Sequence, residues 1–155
     1  MWVFTNPKII YTSATILSVI NTDILSKIIN ISFDSLQLTY TYMSSPNASI
    51  SIKKYQEIFE MLDISLKLRL LEIWLNHTDM SKIKSNAYLE MIYISIAEIC
   101  HKIADNIKKI NNKIEYHNTI WFSTWRSIYL DEEIKQLEKN AKILDERIKL
   151  IGLIN

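Results

Sequence analysis

The stretch from Ser85 to Ser127 most constrains the fold of this chain, because its apolar side chains recur at steps of three and four residues along its whole length. That spacing places them on one face of an α-helix. Neither Gly nor Pro interrupts the stretch. As one helix it would be roughly 65 Å long, so other helices have to cover it. The recurring positions are Ile92, Ile96, Ile99, Ile103, Ile107, Ile110, Ile114, His117, Trp121, Trp125 and Ile128.

The composition favours an all-α protein. One Gly (Gly152) and two Pro (Pro7 and Pro46) leave little material for tight turns, hairpins or phosphate-binding loops. At 155 residues the chain has the length of one domain and can bury a core without disulfides or metal. We therefore expect a single helical-bundle domain over residues 1–155, with an apolar N-terminal extension at residues 1–6.

Charge, cysteine content and hydropathy exclude several classes of protein. The formal net charge is +1, from 18 basic and 17 acidic groups, so no overall field attracts nucleic acid or an anionic membrane. Cys100 is the single cysteine, and the first residues lack the pattern of a secretory signal. We expect an intracellular, reducing location, including the interior of a virion or another large assembly. The longest uncharged apolar run, residues 9–22, is shorter than the about 20 residues that a membrane-spanning helix needs.

Apolar periodicity and cap residues predict four main helices. The first covers about residues 7–43, the second 49–76, the third 79–127 and the fourth 131–151, and the third is the longest. The fourth helix has a regular heptad seam, which is typical of a coiled coil. The seam consists of Ile134, Leu137, Ala141, Leu144, Ile148 and Ile151.

The helix lengths favour an elongated antiparallel bundle. The second and fourth helices together match the third in length, so they can lie end to end along it while the first covers both. A compact alternative breaks the third helix near Asn111 and Asn112 or at residues 116–118. A second alternative is that residues 31–42, which partly alternate and are rich in Thr and Tyr, form a strand.

Candidate catalytic and metal-ligating residues are few. Glu98 and His101 form a Glu-x-x-His pair on one helix face, a unit that di-iron bundles use twice. Here the unit occurs once and supplies too few ligands, so we expect no metal and no cofactor. Cys100 and His101 are consecutive and would point about 100° apart on a helix, which prevents them from acting as nucleophile and base. We predict that the protein is not an enzyme.

A weakly basic stripe lies on the third predicted helix. Aromatic residues are not interleaved with its lysines, as base stacking would require. A solvated helix face explains the stripe, and we expect no nucleic-acid partner. The lysines are Lys102, Lys108, Lys109 and Lys113.

The densest aromatic cluster lies at the end of the third predicted helix. On a helix Trp121 and Trp125 would share one face, while Phe122 and Arg126 would share the next, with Arg126 able to lie over the Phe122 ring. Part of the cluster can pack against the fourth helix, and the remainder has the Trp, Tyr and Arg content of interface hot spots. The alternative is that the cluster is core alone. The predicted partner-binding residues are Trp2, Phe4, Tyr116, Trp121, Phe122, Trp125 and Arg126.

We interpret the chain as a non-enzymatic structural or adaptor subunit that packs into a larger assembly, with a protein partner or a second copy of itself. Its bias toward Ile, Asn, Lys and Ser is typical of AT-rich genomes such as those of large DNA viruses, so a viral assembly is among the candidates. The alternative is a membrane-associated helical bundle whose apolar N-terminal region contacts a membrane surface.

Overall fold

The computed structural model describes residues 22–152, and every regular element within that range is helical. The predicted all-α bundle, with its third predicted helix the longest, is confirmed. Residues 31–42 lie within the first described helix, so the strand alternative is wrong. The α-helices are α1 (Thr22–Ser44), α2 (Ile50–Met61), α3 (Ile64–His77), α4 (Met80–Ser85), α5 (Ala87–Thr119) and α6 (Asp131–Gly152), and a 3-10 turn covers Ser123–Trp125.

The 33 residues of α5 form the central helix, about 50 Å long. It begins after Asn86, whose side-chain oxygen accepts hydrogen bonds from the backbone nitrogens of Tyr88 and Leu89. Its apolar face packs against α1 and α6. The helix continues through Asn111 and Asn112, so the break considered there does not occur. Its buried apolar residues are Ile92, Tyr93, Ile96, Ala97, Ile99, Cys100, Ile103, Ala104, Ile107, Ile110 and Ile114.

Two side-chain contacts show that α5 and α6 are antiparallel. Asn140 Nδ2 donates to Asn106 Oδ1, and nearer the connection the Lys113 ammonium lies 2.5 Å from the Glu133 carboxylate. The apolar positions of the predicted α6 seam are buried or half-buried against the core. The α5–α6 pair is therefore one side of the bundle.

The pair of helices α2 and α3 lies beside α6, in the same direction. Tyr55 Oη donates to Asp131 Oδ1 over 3.0 Å, and about three to four turns further along both elements Lys67 Nζ lies 3.2 Å from Asp145 Oδ2. Both α2 and α3 also pack on α1. The end-to-end placement of the second and fourth predicted helices is wrong, since a side-by-side placement buries the apolar faces of α2 and α3 between α1 and α6.

The second predicted helix is two helices, separated at Leu62 and Asp63. Asp63 has a left-handed backbone (φ 46°, ψ 43°), which Asp tolerates better than most residues. Phe59 in α2 and Ile64 in α3 are both buried but lie five positions apart, about 140° around a straight helix. The turn allows both side chains to face the core.

The third predicted helix is also divided. Asp79 caps α4 by accepting from the backbone nitrogen of Ser81 over 2.9 Å, but Asn86 has an extended backbone and α5 starts anew after it. At the other end α5 stops at Thr119 instead of continuing to Ser127. The chain leaves the helix there because Ile128 and Leu130 are buried against the bundle.

Several sequence-based predictions lie outside the described residues. These are the first predicted helix before residue 22, the apolar extension at residues 1–6, and the partner-binding roles of Trp2 and Phe4. Within residues 22–152, none of the helices combines the length and the apolar character that crossing a membrane requires.

Candidate interaction surface

Residues 120–130, which connect α5 to α6, form what we call the aromatic loop. Phe122 has a left-handed backbone (φ 61°, ψ 33°). For an L-residue this conformation costs roughly 1–2 kcal/mol. The 3-10 turn Ser123–Trp125 follows, closed by a hydrogen bond from the Trp125 nitrogen to the Phe122 carbonyl oxygen. Contacts elsewhere in the loop have to offset the strain at Phe122.

Buried anchors at the end of the aromatic loop attach it to α2. Ile128 and Leu130 are buried, and their backbone nitrogens donate to Ser51 Oγ (2.9 Å) and Tyr55 Oη (3.1 Å). The same Tyr55 hydroxyl donates to Asp131 at the start of α6. A single buried tyrosine thus fixes the loop end and the first residue of the next helix.

The beginning of the loop is held by His117 and Asn47. His117 is buried at the end of α5, and its Nε2 lies 2.9 Å from the carbonyl oxygen of Ser123, which fits a tautomer with the proton on Nε2. Thr124 Oγ1 reaches the carbonyl oxygen of Asn47 over 3.5 Å. The loop backbone is therefore fixed at both ends.

Five aromatic side chains on and beside this fixed loop are turned toward solvent, and we call them the aromatic surface. The exposed fraction is 71% for Tyr116, 82% for Trp121, 72% for Phe122, 89% for Trp125 and 75% for Tyr129. The Trp121 and Phe122 rings touch edge to face, with centroids 6.4 Å apart. Exposed apolar patches of several hundred Å² on soluble proteins mark binding surfaces.

The structure gives this cluster a different local geometry from the predicted one. Trp121, Phe122 and Trp125 do not share helix faces, because α5 ends before them, and none packs as core against α6. Ile128 and Leu130 take the core positions instead. Arg126 is exposed but does not lie over the Phe122 ring. The cation–ring contacts within residues 22–152 are Lys54 over Tyr55 and Arg69 over Phe33.

A groove of about 440 Å³ lies next to the aromatic surface, between the end of α5 and the loop. Its walls are mainly apolar, and Ser127 stands exposed at its edge. Ser127 also borders a second depression, which is lined by Trp125 and by Ile50, a residue that is 86% exposed. The lining residues of the groove are Asn112, Lys113, Tyr116, His117, Ile120, Ser127, Ile128 and Tyr129.

Sequence reasoning missed Tyr129, Ile50 and the groove. Tyr129 follows Ile128, which is buried, and exposed and buried positions alternate from residue 128 to residue 130. Such alternation over three residues is too short to identify from sequence. Ile50 is distant in sequence and is brought to the loop by the contact between α2 and the α5–α6 connection. That the aromatic surface binds a partner stays a prediction.

The residues considered for metal binding and catalysis, among them Cys100 and His101, lie within α5 and not on the aromatic surface. His101 Nε2 lies 3.7 Å from Asp105 Oδ2, one helical turn away, and within residues 22–152 no group of three His, Cys, Asp or Glu is placed to hold a metal ion. Cys100 is fully buried, and this burial raises the pKa of its thiol to about 12. A thiol with so high a pKa is a poor nucleophile near neutral pH.

The lysines of the predicted basic stripe contribute to a polar groove of about 690 Å³ between α5 and α6. Carboxylates from both helices line the same groove, and one of them pairs with Lys113. The three lysines and three carboxylates balance in charge. They are Lys102, Lys109 and Lys113, with Asp105, Glu132 and Glu133.

Comparison with known proteins links the chain to one viral protein. It is 31% identical over 96 residues to Uncharacterized protein L717 of Acanthamoeba polyphaga mimivirus. The match covers 62% of this chain and 44% of L717, so the chain spans less than half of that relative. No protein-family model matches the chain. No solved structure gives a significant match.

Proposed function

We propose that this protein is a non-enzymatic structural or adaptor subunit that docks into a larger protein assembly through its aromatic surface. The observation that carries the proposal is the contrast between the fixed backbone of the aromatic loop and its outward side chains. Ile128 and Leu130 anchor the loop in the core, while Trp121 and Trp125 remain 82% and 89% exposed.

The rigidity of the loop favours binding. Ordering a flexible loop and its side chains lowers affinity, and a loop already held by hydrogen bonds avoids much of that loss. Trp, Tyr and Arg dominate the binding energy of protein interfaces, and this surface has two Trp residues with Arg126 beside them. The left-handed Phe122 adds support, because backbone strain concentrates at functional positions.

A viral assembly is the setting that the comparisons and composition favour. The chain resembles a mimivirus protein over 96 residues, and its Ile, Asn, Lys and Ser bias agrees with an AT-rich viral genome. A reducing environment suits the single thiol, which is buried and held protonated. The same buried thiol supports a role without nucleophilic chemistry at Cys100.

A membrane surface is the alternative partner, because Trp and Tyr also concentrate where bilayers meet water. The small number of charged residues around the aromatic loop weakens the case for a membrane surface as its partner. The charged residues lining its two grooves are Lys113, already paired with Glu133, and Arg126. One unpaired cation gives little attraction to anionic lipid.

Sedimentation of the full chain in extracts of its native source tests the proposal. Wild type should migrate well ahead of an 18.3 kDa monomer, and the Trp121→Ala, Trp125→Ala double variant should move to lighter fractions. Tyr88→Ala is the matched control, because Tyr88 is 54% exposed at the other end of α5, about 42 Å along the helix from Tyr116. A wild type that sediments as a monomer, or a double variant that remains in the heavy fraction, overturns the proposal.

A further inference from the structure

We infer that the partner on the aromatic surface is a second copy of this chain, related by a two-fold axis, with Trp125 of each copy seated in the groove of the other. The inference rests on the proposed function and adds the identity of the partner. Its basis is that one patch holds both a protruding group and a receptor of suitable size.

Trp125 is the protruding group, and the groove beside the loop is the receptor. Trp125 is 89% exposed, at the end of the 3-10 turn. The groove, about 440 Å³ in volume, begins two residues further along the chain at Ser127 and is walled by Tyr116, Ile120 and Tyr129. An isologous interface requires one patch to supply both complementary halves. This patch meets that requirement.

The available area matches what a stable dimer needs. Aromatic side chains bury about 150–250 Å² each, so the five residues of the aromatic surface, exposed by 71–89%, offer about 600–1,000 Å² per copy. A standard specific interface uses about 800 Å² from each partner. Exposed Ile50 lies next to Trp125 and adds to the apolar area.

The charges around the patch allow two copies to meet. The centre of an interface is poor in charged residues. Lys113 at the groove is neutralised by Glu133 at 2.5 Å, which leaves Arg126 as the unpaired cation among the residues lining the two grooves. One cation per copy at the rim, exposed to water and salt, opposes association only weakly.

A complementation experiment with two variants tests the arrangement. Trp125→Ala removes the inserting side chain and leaves the groove intact, whereas Ser127→Arg fills the edge of the groove and leaves Trp125 intact. Both positions are exposed, so both variants should fold as wild type does by circular dichroism. Analytical ultracentrifugation over a dilution series should show a wild-type dimer and at least 100-fold weaker dimerisation of each variant alone.

The mixture of the two variants gives the decisive measurement. In a mixed dimer the intact Trp125 of one chain enters the intact groove of the other, and the blocked groove faces an alanine. The mixture should therefore dimerise more tightly than either variant alone, while Tyr88→Ala should match wild type. A mixture no tighter than its components overturns the arrangement, as does unchanged dimerisation of either single variant.

The outcomes separate this inference from the proposed function. A wild type that is monomeric when pure at every concentration, but sediments in a heavy complex of native extract that Trp125→Ala releases, overturns the second copy as partner and leaves the proposed function standing. Monomeric wild type that binds phosphatidylcholine–phosphatidylserine vesicles through Trp125, and is also monomeric in native extract, overturns both.

Discussion

Asn140 Nδ2 lies 2.5 Å from Asn106 Oδ1, and both side chains are almost fully buried between α6 and α5. A second polar contact joins α5 to α1, where Asn111 Nδ2 donates to the carbonyl oxygen of Ser35 and Asn111 Oδ1 lies 2.6 Å from Thr39 Oγ1. Sliding either helix by one turn would leave these buried groups without partners. The two asparagines of α5 therefore fix the register of the helices on both of its sides.

We expect Asn140→Leu to destabilise the fold by about 1–3 kcal/mol, because it leaves the buried Asn106 amide without its partner. The double variant Asn106→Leu, Asn140→Leu should recover most of that loss, since two apolar side chains of similar size replace the pair. Urea unfolding followed by circular dichroism measures both. Additive losses in the double variant would show that the two amides do not act as a pair.

The backbone at Phe122 gives a second prediction. Phe122→Gly should be more stable than Phe122→Ala by about 1 kcal/mol, because its left-handed φ of 61° strains alanine and not glycine. Both variants remove the same exposed ring, so the comparison isolates the backbone. Thermal unfolding of the two variants side by side measures the difference, and equal stability would show that the loop does not hold this conformation.

The parts of the fold that depend on local periodicity could be predicted from the sequence. Steps of three and four predicted α5 and α6, because each buries one continuous face. The pattern does not predict the break at Asp63, since two overlapping apolar stripes in residues 49–76 fit either one helix with two neighbours or two rotated helices. Tertiary packing against α1 and α6 decides between these.

The composition of the candidate surface was predictable, and its geometry was not. The density of Trp, Phe, Tyr and Arg identified Trp121, Phe122 and Trp125 as interface candidates. The chain leaves the helix at Thr119 because Ile128 and Leu130 bury themselves against α2, a contact between residues about 75 positions apart. Nothing in the local sequence shows that contact.

The buried thiol of Cys100 gives a prediction about pH. Burial raises its pKa to about 12 in the folded chain, so the thiolate forms more readily in the unfolded chain, where the ordinary value is near 9.0. The folded state then binds more protons than the unfolded state between these values, and the free energy of unfolding falls as pH rises through that range, by up to about 1.4 kcal/mol per pH unit. Well below pH 9 the thiol is protonated in both states, so its titration does not lower the free energy of unfolding there.

Comparison of wild type with Cys100→Ala isolates the Cys100 effect from Tyr and Lys groups that titrate in the same range. The stability difference between the two proteins should shift in favour of Cys100→Ala as pH rises from 9 to 11. Thiol labelling of the native wild type should also be slow and become complete in denaturant. A pH-independent difference, or fast native labelling, would contradict the burial of this thiol.

Tyr55 gives the last prediction, because its hydroxyl connects α2, the aromatic loop and α6. In Tyr55→Phe the buried Leu130 nitrogen loses its acceptor, and the Asp131 carboxylate loses the Tyr55 donor while it keeps its ion pair with Lys54. We expect the free energy of unfolding to fall by about 1–3 kcal/mol. Amide hydrogen exchange at Leu130 should accelerate more than exchange in the middle of α5. A looser loop should also weaken association through the aromatic surface, since binding then has to order it.

Tyr129→Phe is the control, because it removes a hydroxyl from a side chain that is 75% exposed, and its stability should stay within about 0.5 kcal/mol of wild type. If Tyr55→Phe keeps the wild-type stability and slow exchange at Leu130, the buried apolar side chains alone hold the loop, and Tyr55 has no part in presenting the aromatic surface.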